Sequence, residues 1–305
     1  MKLSINKPFR PHLATDAKLE KLEYPLEVQY KVDGVRMLVR EGKATGRSMK
    51  PYKNKKLTEY FSRECFNGFD MELATTEIND PDLCRLTTSQ VNTIEGGLPQ
   101  YAFVFDYITP ETEDMSYKCR MGSLENYLKE VDLPSEVVII TSESFNVDSE
   151  EQLLQLYKEV LDLNFEGLII RKGLYKQGRG TVNEANYLRM KPTGDSEGIV
   201  LQIEEAFENT NEAKVNELGY TERSSHKDGK VGKGMIGALW LKDIHSGKEV
   251  KVGAGKLTHK ERLHYFENPD DIIGSLVKYK FLGTGQKDLP RHPRYISHRA
   301  WEDLS

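Results

Sequence analysis

The sequence predicts an α+β chain in two parts, a mixed strand-and-helix domain over residues 1–192 and a small β-barrel over residues 193–305. Three observations predict it. Apolar and polar residues alternate from Leu26 to Val39, the period of half-buried strands. A helical period over Leu153, Leu156, Tyr157, Val160 and Leu161 lies between strand-like runs at Val137–Ile140 and Phe165–Arg171. After Lys191-Pro192-Thr193-Gly194-Asp195 the character changes, and short strands with frequent turns follow.

Taken in order, the first strands carry Leu26, Val28, Tyr30 and Val32 on one side, with Val35, Met37 and Val39 in step. Asp33-Gly34 between them is a hairpin-turn signal, so the two runs are expected to pair. A hairpin accounts for the Asp and the Gly. It does not account for Lys31, beside the turn and opposite the apolar face, with Arg36 close by. Lys31-Val32-Asp33-Gly34-Val35-Arg36 therefore sets a potential lysine nucleophile next to a carboxylate and a second cation. With each fixed residue at roughly 5–7% of positions, four coincide about once in 10⁵ windows, so chance is a poor account. Further along, Asp148 or Ser149 is placed to cap the helix that Asn164 ends. In the second part, strands are expected over Gly198–Ile203, Ala238–Lys242, Glu249–Val252 and Leu276–Phe281. Gly253-Ala254-Gly255-Lys256-Leu257-Thr258 looks like a phosphate-binding loop. Its Lys is not followed directly by Ser or Thr, and Val250 stands where the first glycine belongs, so a strand-end turn is expected.

Composition narrows the class. A chain of 305 residues with 38% hydrophobic and 30% charged residues is that of a soluble globular protein. No apolar run approaches the roughly 20 residues of a membrane helix, and the start of the chain lacks a signal peptide's apolar core. Cys65, Cys84 and Cys119 are odd in number and scattered, which suggests free thiols in a reducing compartment rather than disulfides or zinc; a cytoplasmic protein is expected. The net charge of −5 argues mildly against a nucleic-acid partner, yet charge is uneven. Acids dominate from Glu197 to Glu222, whereas residues 223–280 hold twelve Lys or Arg against seven Asp or Glu. Within that stretch, a glycine-rich loop carries Arg223, Lys227, Lys230 and Lys233, either a phosphate-backbone contact or a solvated flexible loop.

Later segments hold what lysine chemistry on a nucleotide requires. Asp70-Met71-Glu72-Leu73 and Phe165-Glu166-Gly167 each set a carboxylate among apolar strand residues, suited to ribose hydroxyls and Mg²⁺. Ala102-Phe103-Val104-Phe105-Asp106 offers an aromatic face for a base. Leu188-Arg189-Met190-Lys191-Pro192 puts two cations on one side of a strand, where they could hold an α-phosphate, and Arg47 adds a guanidinium. Singly, each segment is better explained by edge-strand acids, core phenylalanines or solvated basic positions. Their order after Lys31 is what carries the functional reading.

That order resembles the covalent nucleotidyltransferases, specifically ATP-dependent DNA ligases, and most closely the small ligases of bacteriophages. The resemblance covers nearly the whole chain. Lys31 to Arg36 matches the motif whose lysine is adenylylated, and Arg47 an arginine motif. Glu72 matches the Asp-Gly-Glu motif, Phe105 the base-stacking position, Glu166-Gly167 the Glu-Gly motif, and Arg189-Met190-Lys191 the paired-lysine motif. Arg291-His292-Pro293-Arg294-Tyr295-Ile296-Ser297-His298-Arg299 looks like the last motif. The resemblance implies an adenylation domain of antiparallel sheets and helices followed by a C-terminal OB-fold. It implies that Lys31, deprotonated among cations and metal, attacks ATP, and that AMP then passes to the 5′-phosphate of nicked duplex DNA. Glu72 would contact the ribose, Glu166 with Glu72 would hold Mg²⁺, and Phe105 would stack on adenine. Arg189 and Lys191 would hold the α-phosphate, and Arg36 and Arg47 would orient phosphates. Arg299 would meet the leaving pyrophosphate as the barrel closes, with Thr193-Gly194-Asp195 as the joint. A monomer acting in the host cytoplasm in DNA replication, repair and recombination is the implied setting.

Three positions depart from the family's pattern. Gln29 stands two before the lysine, where Glu is usual; its amide oxygen is expected to accept from the adenine amino group. Arg189 exchanges a compact charge for a planar fork. Arg299 is followed by Ala300-Trp301-Glu302-Asp303 rather than Arg-x-Asp-Lys. The rivals are an mRNA guanylyltransferase, which would form lysyl-GMP, an RNA ligase, against which the barrel argues, and a binding module over an inactive transferase domain. The short run before Lys31 and the phage-ligase-like tail favour the ligase over the first.

Overall fold

A computed structural model describes residues 8–78, 80, 82–163, 165–171, 173–180, 186–217, 219–224, 226–282 and 289–300. Contacts divide the chain into one unit ending at Lys191 and another running from Pro192, residues 217–219 aside.

The first unit runs through β1 (His12–Leu13), β2 (Thr15–Asp16), β3 (Leu26–Lys31), β4 (Val35–Arg40), β5 (Lys43–Gly46), α1 (Lys55–Phe61), β6 (Phe69–Ala74), α2 (Leu83–Asn92) and β7 (Tyr101–Tyr107). It continues with α3 (Tyr117–Glu130), β8 (Val138–Thr141), β9 (Ser144–Val147), α4 (Glu150–Asp162), β10 (Gly167–Arg171), β11 (Gly178–Arg179) and β12 (Tyr187–Met190). Two five-stranded sheets result, ordered β2-β12-β10-β3-β9 and β5-β4-β6-β7-β8.

The alternation over 26–39 does make strands, but the expected hairpin is absent. β3 pairs with β10 and β9, whereas β4 pairs with β5 and β6. Val32-Asp33-Gly34 instead carries the chain from one sheet to the other. Turn propensity is local, while each apolar face needs its own partners. Leu26 and Val28 bury against Val147, Leu153, Leu168 and Ile170. Met37 and Val39 belong to a second core with Met71, Leu73 and Val104. A Cβ at Gly34 would stand 2.1 Å from the Leu73 carbonyl oxygen, so glycine is required by close approach to β6 rather than by a hairpin turn. Of the two expected caps for α4, Ser149 is used: its hydroxyl accepts from the Gln152 N–H. Leu153 and Val160 bury its apolar face, and Asn164 lies outside the described residues.

The second unit comprises β13 (Gly194–Asn209), β14 (Ala213–Val215), β15 (Thr221–Arg223), β16 (Lys230–Asp243), β17 (Glu249–Gly253), α5 (His259–Glu267), β18 (Leu276–Phe281) and β19 (Arg294–His298). Five of these strands close a barrel in the order β13-β16-β17-β19-β18 around Val200, Ile236, Leu239, Val252 and Tyr279. Every strand expected in this part lies within an observed one. The buried Asp243 carboxylate ties the barrel together, accepting from Ser196 Oγ at 2.5 Å and Tyr279 Oη at 2.8 Å, which brings β13 and β18 to the end of β16. The look-alike phosphate loop is a turn, as expected: β17 ends at Gly253, and Thr258 forms a capping box with Glu261 at the start of α5. The basic stretch is less of a loop than expected. Arg223 ends β15, Lys227–Gly229 form a 3-10 turn, and β16 pairs with β13 from Lys230↔Asn209 onward.

Candidate active site

Between the two sheets of the first unit lies a cleft of about 520 Å³, the size of a small-molecule site. Period-two alternation decides what faces it. On β3, Val28 is in the core, while Gln29 and Lys31 line the cleft. On β10, Ile169 and Arg171 line it, and Arg36, Glu72 and Phe105 come from β4, β6 and β7. Of the other cations named from the sequence, Arg47 and Arg189 also line it.

Lys31 and Glu166 meet because β3 and β10 pair with Lys31 opposite Gly167, and the Glu166 N–H donates to the Lys31 carbonyl at 2.9 Å. Gly167 has φ +145°, and a Cβ there would stand 2.0 Å from the Met190 oxygen, so only glycine lets β10 pass between its neighbours. Lys31 Nζ forms an ion pair with Glu166 Oε2, and Lys191 Nζ donates to Glu166 Oε1 at 3.0 Å. One carboxylate therefore bridges the two lysines. Burial by itself would lower the Lys31 pKa, but Glu166 and then Glu72 outweigh it and hold the amine above its ordinary range. This reverses the expectation of a lysine deprotonated by surrounding cations, since carboxylates are its nearest charged neighbours. Glu72, with burial and then the nearby Glu166 charge raising it against the pull of Lys31, is pushed up to about 7. Among the described residues no cluster of three or more His, Cys, Asp or Glu gathers as a metal site. Glu72 and Glu166 fit Mg²⁺ only where phosphate oxygens and water complete the shell, which is how Mg²⁺ commonly binds with nucleotides.

Arg36 faces the cleft but its guanidinium is engaged elsewhere. It donates to both oxygens of Asp70 at 2.8 and 2.6 Å and to the His12 carbonyl at 2.7 Å. Its geometry is that of a support for the cleft wall rather than a free phosphate ligand. His12 itself is pushed down to about 3 by burial, with the Arg171 and Arg36 charges adding, so its ring is neutral.

Phe105 occupies a β-bulge: Asp70 pairs with Asp106 and Met71 with Val104, leaving Phe105 without a partner on β6. The bulge brings two buried aspartates side by side: Arg36 pairs with Asp70, and two arginines without a role in the sequence pattern pair with Asp106. Arg120 makes a bidentate pair with Asp106 at 2.7 and 2.9 Å. Arg171, read from the sequence only as the end of a strand, reaches Asp106 Oδ2 at 3.2 Å and the Phe105 carbonyl at 3.1 Å, and lies 4.1 Å over the Tyr187 ring. It also donates to Gln29 Oε1 at 3.0 Å. The oxygen expected to accept from an adenine amino group is thus taken by an arginine, and Gln29 Nε2 is left buried without a partner. The one sequence signal for Arg171 is its place on the same face of β10 as Ile169 and Gly167, opposite Gln29 and Lys31.

The remaining cations differ in freedom. Arg47 is exposed just beyond β5 and makes no ion pair or hydrogen bond among the described residues. Arg189 Nε is tied to Asp16 Oδ1 at 2.6 Å. Arg299 belongs to the second unit, where its Nε lies 3.8 Å from Glu197 Oε1, and residues 301–305 lie outside the described set. Arg223, Lys227, Lys230 and Lys233 are all exposed, with Arg223 also donating to the Asn211 carbonyl. The three cysteines are free thiols, and no helix among the described residues is long and apolar enough to cross a membrane.

Comparisons with known proteins agree with this geometry. The family described as ATP dependent DNA ligase domain matches residues 11–191, and that described as DNA ligase OB-like domain matches 228–299. The DNA ligase of African swine fever virus (isolate Tick/South Africa/Pretoriuskop Pr4/1996) is 25% identical over 167 residues, 54% of this chain and 34% of the viral protein. The chain thus spans about a third of the length of that relative. Among solved structures, a Chlorella virus DNA ligase-adenylate is 26% identical with a TM-score of 0.52, covering 97% of this chain and 99% of its own. A Lig E DNA ligase shares the fold with a TM-score of 0.70 at 20% identity, covering 95% and 99%. The cleft lysine bridged through Glu166, the closed barrel and these matches lead to one conclusion: the chain belongs to the ATP-dependent DNA ligases, with a nucleotidyltransferase domain followed by an OB-like domain.

Proposed function

We propose that this chain seals nicks in duplex DNA through a lysyl-AMP intermediate on Lys31. The observation that carries the reading is Lys31, which lines the cleft with Gln29, Phe105 and Ile169 and shares Glu166 with Lys191. A nucleotide with its base toward Phe105 sets its phosphates toward the lysines. The Lys31 ammonium first gives up a proton, for which Glu166 Oε2, already hydrogen-bonded to Nζ, is the nearest acceptor. The freed nitrogen then bonds the α-phosphorus as the bond to pyrophosphate breaks, and a second proton leaves the new N–P nitrogen for solvent. Lys191 and Arg189 hold the α-phosphate, Arg47 the more distal phosphates, and Glu72 a ribose hydroxyl. Mg²⁺, held by Glu166 and Glu72, would supply charge that offsets the triphosphate. AMP next passes to the 5′-phosphate of the nick, and the adjacent 3′-hydroxyl displaces it. Arg223, Lys227, Lys230 and Lys233 contact the DNA backbone, and Arg299 approaches the nucleotide when the two domains, 1–192 and 193–305, close. A monomer in the cytoplasm of a phage-infected host is the setting we propose for replication, repair and recombination.

The test is the intact mass of the protein after incubation with Mg²⁺ and ATP, GTP or NAD⁺. A gain of one AMP from ATP, lost on adding nicked duplex, supports the reading. A gain of GMP alone moves the chain to the capping-enzyme branch, and no adduct in protein not already adenylylated leaves a binding module.

A further inference from the structure

We propose that Gln29 reads the nucleobase as a hydrogen-bond donor, so that the cleft takes 6-oxopurine nucleoside triphosphates alongside ATP. The inference rests on the ligase reading and deepens it to base selectivity.

The amide's orientation follows from chemistry. An arginine side chain has donors only, so the Gln29 atom facing Arg171 Nε at 3.0 Å must be the oxygen. Turning the amide over would set two donors against each other. Arg171 cannot move aside without loss, because Asp106, the Phe105 carbonyl and the Tyr187 ring fix it on its other sides. Gln29 is 1% exposed, and its Nε2 is a buried donor with no acceptor in the protein. Buried amide donors left without an acceptor are rare in folded proteins, and where one lines a ligand cleft the ligand is the natural source of the acceptor.

The geometry says which part of the ligand that is. Gln29 and Lys31 lie on the same face of β3 two residues apart, about 7 Å along the strand. With the α-phosphate at Lys31, the base lies along Gln29, against Ile169 and Phe105. A donor at that edge matches ring nitrogens and a 6-oxo oxygen, whereas the 6-amino group of adenine is itself a donor. Adenine is therefore held through a ring nitrogen. Its amino group, the feature separating it from hypoxanthine at that position, has no acceptor in Gln29. A Glu at this position would restore one, since a carboxylate can accept from Arg171 and from the amino group together.

The experiment compares initial rates of lysyl-nucleotide formation, by intact mass, for ATP, inosine triphosphate and purine riboside triphosphate with Mg²⁺. The reaction is the same in each case, a Lys31–phosphorus bond replacing the bond to pyrophosphate. The expected result for the unaltered protein is that all three react within about tenfold of one another. In Gln29→Glu the preference for ATP over inosine triphosphate should rise by about tenfold or more, the factor for one hydrogen bond. A change in that ratio is not produced by general damage to the fold, which lowers all three rates together. Rejection of both analogues by more than about a hundredfold in the unaltered protein overturns the inference while leaving the ligase reading intact. An ATP preference unchanged in a folded Gln29→Glu protein overturns it as well. No adduct from any nucleotide overturns the ligase reading, and the inference with it.

Discussion

At the scale of single residues, the cleft is governed by competition between burial and charge. Opposite unit charges about 4 Å apart attract by about 4 kcal/mol at an effective dielectric near 20, enough to overcome the desolvation of a partly exposed amine. Lys31 is therefore held protonated by Glu166 and Glu72. Adduct formation should accordingly rise steadily between about pH 6 and 9, as the minor free amine grows about tenfold per unit; a rate that does not change over that range contradicts the assignment. Lys31→Ala should abolish both the adduct and sealing, by at least about 10⁴-fold, measured by mass and by a nicked-duplex assay; sealing at the unaltered rate would remove Lys31 from the mechanism. Glu72 yields a stability prediction of definite sign. Its carboxyl titrates near 7 in the fold against 4.5 when solvated, so the folded state holds its proton more tightly than the unfolded chain. The stability associated with the protonated form is complete below the unfolded value and is lost as pH rises toward 7. Glu72→Gln should thus raise stability at pH 8 by about 2 kcal/mol, and the gain should vanish below the unfolded pKa in chemical denaturation.

At the scale of elements, close approach and buried polar ties fix the arrangement. Gly34→Ala would force a methyl group against the Leu73 carbonyl, 2.1 Å away, and so separate the β3–β4 crossing from β6. A loss of about 2–3 kcal/mol in urea unfolding is expected, with adduct formation falling because Lys31 and Glu72 move apart. In the barrel, burial would raise the Asp243 carboxyl, but bonds from Ser196, Ser246 and Tyr279 outweigh it and bring the group down to about 2. Its contribution is present above the ordinary aspartate range and is lost as pH falls through the folded value. Asp243→Ala leaves the hydroxyls of Ser196, Ser246 and Tyr279 without this acceptor, and the barrel should lose about 2–4 kcal/mol, read from its own unfolding transition.

At the scale of the whole molecule, charge is segregated. The chain carries −5 overall, yet Arg223, Lys227, Lys230 and Lys233 stand exposed around the start of β16. If they contact DNA phosphates, replacing all four by Ala should reduce the slope of log affinity against log salt by about 3. An unchanged slope would move the contact elsewhere. A protein ending after Asp195 should retain weak adduct formation and lose most sealing; equal sealing by the shortened form would deny the barrel a role in holding DNA.

The sequence by itself determined the two-part division, one helix, several strands and a set of candidate reacting groups. Alternation marked β3 and β4, short strands with frequent turns marked the barrel, and helical period with a cap at Asp148 or Ser149 marked α4, because these signals repeat within a few residues; the order of motifs from Lys31 to Lys191 marked the candidate site. What it could not decide was partnership. Asp33-Gly34 has the local chemistry of a hairpin, yet two separate cores draw the flanking strands into different sheets. Asp106 and Arg171 lie 65 residues apart and meet only when β7 and β10 face the same cleft, with a bulge at Phe105 that periodicity does not reveal. The direction of the Lys31 shift and the turning of Gln29 follow from that meeting. Both depend on which charges end within a few ångströms of a buried atom, and only the tertiary structure sets those distances.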